Sequence, residues 1–242
     1  DCADLKTRVA AILGAIKESD KTFSIPALED VFTRLRVHSL NAGNARKEDL
    51  VLKIHDHAIN QQHEVGFSIK SRLGSPASLL NASSATNFVF KIEGINPDLI
   101  HKINSIKTKA KIQDRIRAII QAGARLRFHA LDSEVFERNL RKVDTVMPEI
   151  MAELLLAYFL GEGPDFPSLI QYLETSGMKI LQFQLSPEDL AYKVKFLLYN
   201  SALGMVPASP WDGNLRAHGG IIVVRQDGEI VCYHLRNVEL FR

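Results

Sequence analysis

A chain of 242 residues, 46% hydrophobic and 24% charged, is long enough to bury a sizeable core and has the balance of an ordinary globular protein. Its two cysteines, Cys2 and Cys232, exclude a disulfide framework or a cysteine metal cage and suit a reducing, cytoplasmic setting. No apolar run reaches the ~18 residues of a membrane span, no basic-then-apolar leader opens the chain, and a formal net charge of +2 decides little by itself.

Helical spacing runs through Leu5, Val9, Ile12, Leu13 and Ile16, predicting a helix over 4–17. A second begins at Ser24-Ile25-Pro26, with proline in its first turn, and runs to about Arg36. Two strand-like runs follow, 49–55 and 64–71, with the polar stretch 56–63 between them. Turn signals lie at Gly74-Ser75-Pro76. Phe88 to Ile92 reads as a further strand. Residues 97–123 look helical with a break near 107–109, and Arg125 to His129 as a short strand. The helical pattern over 133–160 contains Pro148, which is expected to end or kink it. Helices are expected over 167–174 and 187–203, the last capped by Ser186. Asp227-Gly228 between two apolar runs, 219–224 and 229–235, signals a hairpin. The order predicts a mixed α/β (α+β) chain with a central mixed sheet flanked by helices. It reads as one domain over 1–242, with a weak sub-boundary near 161–167. Asp1 in place of methionine and the apolar run at the other end lead us to expect a piece of a longer protein.

The first hairpin carries the chemistry. Strand side chains alternate faces, so Glu64, Gly66, Ser68 and Lys70 share one side. If 49–55 pairs antiparallel with 64–71 around a turn near Ala58–Ile59, facing residue numbers sum to about 117 to 119. Asp49 then falls opposite Ser68, Ile69 or Lys70. An acid, a hydroxyl and an ammonium on a rigid hairpin can hold a hard divalent cation beside a phosphate. An acid at a strand start is more often merely solvated, but a lysine within an apolar strand needs a partner.

Two further groupings bear on a partner. Lys102, Lys107, Lys109, Lys111, Arg115, Arg117, Arg125 and Arg127 crowd one stretch in which Asp114 is the only acid. They form either a phosphate-binding face or a solvated one. Asn81 to Asn87 is rich in short polar side chains, suited to a nucleic-acid groove or to satisfying its own backbone. Asn214 to His218 is a weaker case, and Arg72 and Arg216 are candidate guanine readers. The eight histidines show no metal-ligand spacing.

The run Gly66-Phe67-Ser68-Ile69-Lys70-Ser71-Arg72-Leu73-Gly74-Ser75-Pro76, followed by Leu79-Leu80-Asn81-Ala82-Ser83 and Ala85-Thr86-Asn87-Phe88, resembles the HpaII-type family of type II restriction endonucleases. So do Gly219 to Val224, Asp227-Gly228-Glu229 and Cys232-Tyr233-His234. The resemblance implies a restriction-endonuclease-like core, with an acid on one strand and an acid-x-lysine on the next. It implies Mg²⁺-dependent, site-specific cleavage of double-stranded DNA, with CCGG as the expected site. A homodimer or a transient pair on DNA, and a cognate methyltransferase in the same system, are also expected. Carried over by position, Asp49 is the first acid and metal ligand, the Ile69 carbonyl a second ligand, and Lys70 the lysine. Arg72, Asn81, Ser83, Thr86, Asn87, Arg216 and His218 are the expected DNA contacts. Ser68 stands where the pattern has an acid, so Glu64 and Glu29 are candidates for the missing carboxylate. The same departure keeps open a non-catalytic DNA-binding protein on this fold.

Overall fold

The computed structural model describes residues 8, 14, 26–34, 36–37, 46–72, 80, 83–175 and 185–234. In chain order the elements are a 3-10 turn Pro26–Leu28 running into α1 Glu29–Arg34, then β1 Leu50–Asp56, β2 Gln61–Ser71, a 3-10 turn Ser84–Thr86 and β3 Phe88–Glu93. These are followed by α2 Pro97–Asn104, α3 Lys111–Gln121, β4 Arg125–Leu131, α4 Glu134–Val143, α5 Met147–Leu160, α6 Phe166–Thr175, α7 Pro187–Leu203, β5 Gly220–Val224 and β6 Ile230–Tyr233. The helix expected over 4–17 lies almost wholly outside the described residues, as do the turn after Arg72 and the run beyond His234. No helix among the described residues is long and apolar enough to cross a membrane.

The chain divides into two compact units. One comprises Asp1–Leu79, Ala202–Gly204 and Leu215–Arg236, and the other Leu80–Ser201, Met205–Asn214 and Asn237–Arg242. No division falls at 161–167, where Gly161 closes α5 in the left-handed conformation, φ 88°.

The first unit holds a four-stranded mixed sheet in the order β1-β2-β5-β6. The mixed α+β architecture expected of a restriction-endonuclease-like core is present, with β2 central. β1 runs antiparallel to β2, with Leu50 facing Phe67 and Asp56 facing Gln61. The turn between them places Asn60 at φ 50°, a conformation asparagine tolerates. β5 runs parallel to β2, with Ser68 facing Ile221 and Lys70 facing Val223. β6 returns antiparallel through the Asp227-Gly228 turn. The chain at 216–219 presses on β2. A Cβ on Gly66 would stand 2.1 Å from the Arg216 carbonyl oxygen, and the Gly219 N–H donates to the Gly66 carbonyl at 2.7 Å. Only glycine allows so close a backbone approach.

The second unit packs helices with the antiparallel pair β3–β4. Phe88 and Phe90 meet Phe128 across the strands, and Phe88 meets Phe136 of α4 edge-on. The buried centre includes Phe136, Leu140, Met147, Ile150, Leu154, Leu173 and Leu197. Ile103, Ile119 and Ala124 form a smaller cluster where α2 and α3 meet. The pattern over 133–160 is two helices rather than one kinked helix. α4 stops at Val143, Asp144 accepts the Val146 N–H on its side chain at 3.0 Å, and Pro148 falls in the first turn of α5. There its missing N–H costs nothing. Asn139, 1% exposed, ties down the loop after α7. Its amide donates to the Val206 and Ser209 carbonyls, and its oxygen accepts the Trp211 N–H.

Candidate active site

β2 sets the site. Ser68 is 1% exposed and Lys70 is half-buried, two residues apart on one face of a strand that has neighbours on both sides. Asp49 immediately precedes β1. Its N–H donates to the Phe67 carbonyl at 2.8 Å, although Phe67 already faces Leu50. Two consecutive residues thus address one on β2, the two-against-one count of a bulge, a device that re-aims side chains. The re-aimed carboxylate lies back on β2. Asp49 Oδ2 accepts the Ile69 N–H at 2.6 Å and the Ser68 hydroxyl at 3.2 Å. Both of these bonds fall on one oxygen. A strand residue's N–H and C=O leave on the same side. The Ile69 carbonyl therefore also faces the Asp49 side, beyond the first residue of β1.

Two neighbours escape the sequence reading. Lys47 is half-buried, and its ammonium is pulled from an ordinary 10.5 down to about 8. Burial is the largest cause, the like charge of Lys70 adds to it, and Asp49 opposes both. The facing-number rule does not reach it, because the extra residue at Asp49 breaks the register ahead of β1. Glu48 is 7% exposed. Its Oε1 lies 3.8 Å from the Arg46 guanidinium, and its Oε2 has no hydrogen-bond partner among the described residues.

The remaining candidates sit as follows. Glu64 is exposed and ion-paired to Lys53, directly across the hairpin, at 3.1 Å. It lies six residues from Lys70 on β2, roughly 20 Å at strand rise. Glu29 opens α1, exposed. Arg72 is exposed just past β2, its N–H on the Val224 carbonyl. Arg216 presents its carbonyl to Gly66, and the His218 ring meets the Glu64 carbonyl at 3.0 Å. Ser83 and Thr86, in the second unit, hydrogen-bond each other's backbone in a capping box around the 3-10 turn. Asn87 ends that turn, exposed, with its carbonyl accepting the Asp132 N–H. Asn81 lies outside the described residues.

Part of the basic stretch is engaged in the fold. Arg115 caps the Asn104 and Ile106 carbonyls, Arg117 lies 3.8 Å from Asp114, and Arg127 lies 3.2 Å from Glu93. Lys102, Lys107, Lys109, Lys111 and Arg125 are exposed.

Among the described residues, no three of His, Cys, Asp and Glu gather as a ready-made metal cage. The oxygens at hand are the Asp49 carboxylate, the Ser68 hydroxyl and the Ile69 carbonyl. Hard oxygen donors of this kind suit Mg²⁺ or Ca²⁺, which are completed by water, rather than zinc.

Comparison with known proteins converges on one family. The sequence model described as HpaII restriction endonuclease matches residues 2–242. A curated relative, the Type II restriction enzyme HpaII of Haemophilus parainfluenzae, is 37% identical over 238 residues. That alignment covers 97% of this chain and 65% of the relative, so the chain spans less than two thirds of that protein's length. No solved structure matches the chain. The strand pair bearing Asp49, Ser68 and Lys70 is thus that of a member of the HpaII restriction endonuclease family, to which this chain belongs.

Proposed function

We propose that the chain carries the nuclease centre of a site-specific double-stranded DNA endonuclease. The observation that carries this reading is the Asp49 carboxylate, locked onto Ser68 and Ile69 of the strand that presents Lys70. The name of the relative and the family match support it. Hydrolysis adds water across one P–O bond, and the negative charge grows on the phosphate oxygens. Asp49 Oδ1, the Ile69 carbonyl and Ser68, directly or through water, would hold a Mg²⁺ ion. When bound, such an ion supplies charge neutralisation and an activated water. Lys70 meets a phosphate oxygen with its ammonium. Ser68 donates to Asp49 and so fixes the carboxylate's rotamer. Lys47 adds a second cation on the approach to the phosphate. CCGG is the proposed target, and cutting both strands calls for two copies of the chain. A cytoplasmic enzyme paired with a protecting methyltransferase completes the proposal. Arg72, Arg216 and His218 are the proposed DNA contacts of the first unit, and the 83–87 turn that of the second.

The test is plasmid DNA incubated with Mg²⁺ and, in parallel, with Ca²⁺. Discrete fragments are expected in Mg²⁺ only. Lys70→Ala should lower the cutting rate by at least about 10²–10³-fold, the scale of losing one transition-state donor, while DNA affinity in Ca²⁺ changes little. Normal cutting by Lys70→Ala removes the assignment. A gel shift with no cutting by the unaltered protein supports the second reading, a non-catalytic DNA binder, which the hydroxyl at Ser68 in place of an acid favours.

A further inference from the structure

Ser68 leaves this centre one carboxylate short of the acid-x-lysine pattern, and neither sequence candidate is seated to supply it. Glu64 is neutralised by Lys53 at the far end of β2, and Glu29 is exposed on α1. A third carboxylate lies between Lys47 and Asp49.

We propose that Glu48 is the second acidic ligand of the divalent cation, on the nuclease reading given above. Three observations carry the assignment. Glu48 is more than nine-tenths buried. Its Oε2 accepts no hydrogen bond from the described residues, although leaving a buried polar atom without a partner is costly, the more so when it is charged. Its Cβ lies 3.2 Å from where a Cβ on Gly66 would stand. Gly66 shares its face of β2 with Ser68 and Lys70 by alternation. Glu48 therefore enters on the side of β2 that bears the hydroxyl and the ammonium. Arg46 comes nearest to Oε1, at 3.8 Å from a largely exposed guanidinium, and Oε2, which no described residue hydrogen-bonds, is the atom offered to a ligand. That ligand is a cation or a water bound to one. The adjacent bulge turns Asp49 onto Ser68 and Ile69, so two consecutive acids address one strand.

The experiment measures Mn²⁺ uptake by electron paramagnetic resonance, using the full chain with and without a nuclease-resistant CCGG duplex. A urea titration in EDTA accompanies it. Glu48→Gln should raise the Mn²⁺ dissociation constant at least tenfold. It should leave the urea midpoint in EDTA unchanged or higher, because a buried carboxylate oxygen without a hydrogen bond is gone. An affinity within twofold of the unaltered protein overturns the assignment, whatever the midpoint does. Should Glu48→Gln not fold, Glu48→Asp keeps the charge but withdraws it by one methylene. Weaker Mn²⁺ uptake in that variant supports the ligand role, and equal uptake refutes it. Failure of the underlying nuclease reading looks different. There the unaltered protein takes up no Mn²⁺ in either sample, and Glu48 loses its role with it.

Discussion

Lys47 is held against its own solvation. Burial and the neighbouring Lys70 pull it from 10.5 to about 8, so the unfolded chain keeps a proton there that the folded chain gives up. Between about pH 8 and 10.5 the unfolded state therefore binds more protons, and stability rises with pH through that window. Below about pH 8 the full penalty is present, up to about 3 kcal/mol at ~1.4 kcal/mol per pH unit. Lys47→Met should then raise the urea midpoint at pH 7 in EDTA, and the difference from the unaltered protein should shrink as pH climbs to 10.5. A constant difference across that range would show that the ammonium carries no such cost. A residue that weakens its own fold is expected where charge has a task. At this scale the sequence shows Asp49, Ser68 and Lys70, because alternation and a facing-number rule locate residues within paired strands. It does not show Lys47 or Glu48. Both lie before β1 begins, where no periodicity says which way a side chain turns, and the bulge at Asp49 resets the direction.

At Gly66, β2 is covered by a close approach of backbone. The carbonyl of Arg216 occupies the space that any side chain at Gly66 would need, and the Gly219 N–H closes the contact on the Gly66 oxygen. Gly66→Ala forces that carbonyl to move, and overpacking of this kind costs about 1–3 kcal/mol or more. The urea midpoint should fall accordingly, and cutting with it, since Ser68 lies next on the same face. An unchanged midpoint would mean that residues 216–219 are not seated on β2. The elements themselves are largely legible. The hairpin register, the Asp227-Gly228 turn and the break between α2 and α3 follow from turn chemistry and spacing. The role of Pro148 is ambiguous in sequence because a proline can close one helix or open the next. The choice falls to Asp144, whose side chain bonds the Val146 N–H. Asn139 is invisible as well. It binds a loop distant in sequence, and no local pattern encodes such a contact.

Over the whole chain the nearly balanced charge hides a concentration of cations between Lys102 and Arg127. Arg115, Arg117 and Arg127 are occupied by carbonyls and acids of the fold, while Lys107, Lys109 and Lys111 are exposed. Replacing those three lysines by alanine should flatten the dependence of log affinity for duplex DNA on log salt by about 2–3 units, at ~0.9 for each phosphate that is no longer neutralised. Fluorescence anisotropy over a salt series measures it, and an unchanged slope would make this a solvated face. Sequence composition could not separate the two kinds of cation, because each partner carbonyl or carboxylate is fixed only by folding. Chain order has a consequence for synthesis. The strand with Ser68 and Lys70 takes its parallel neighbour from Gly220–Val224, so while the ribosome is still making the middle of the chain, that strand lacks one of its two flanking partners. On the proposed nuclease reading, a growing polypeptide would then be a poor cutter of DNA until Val224 had emerged, a built-in delay between translation and activity.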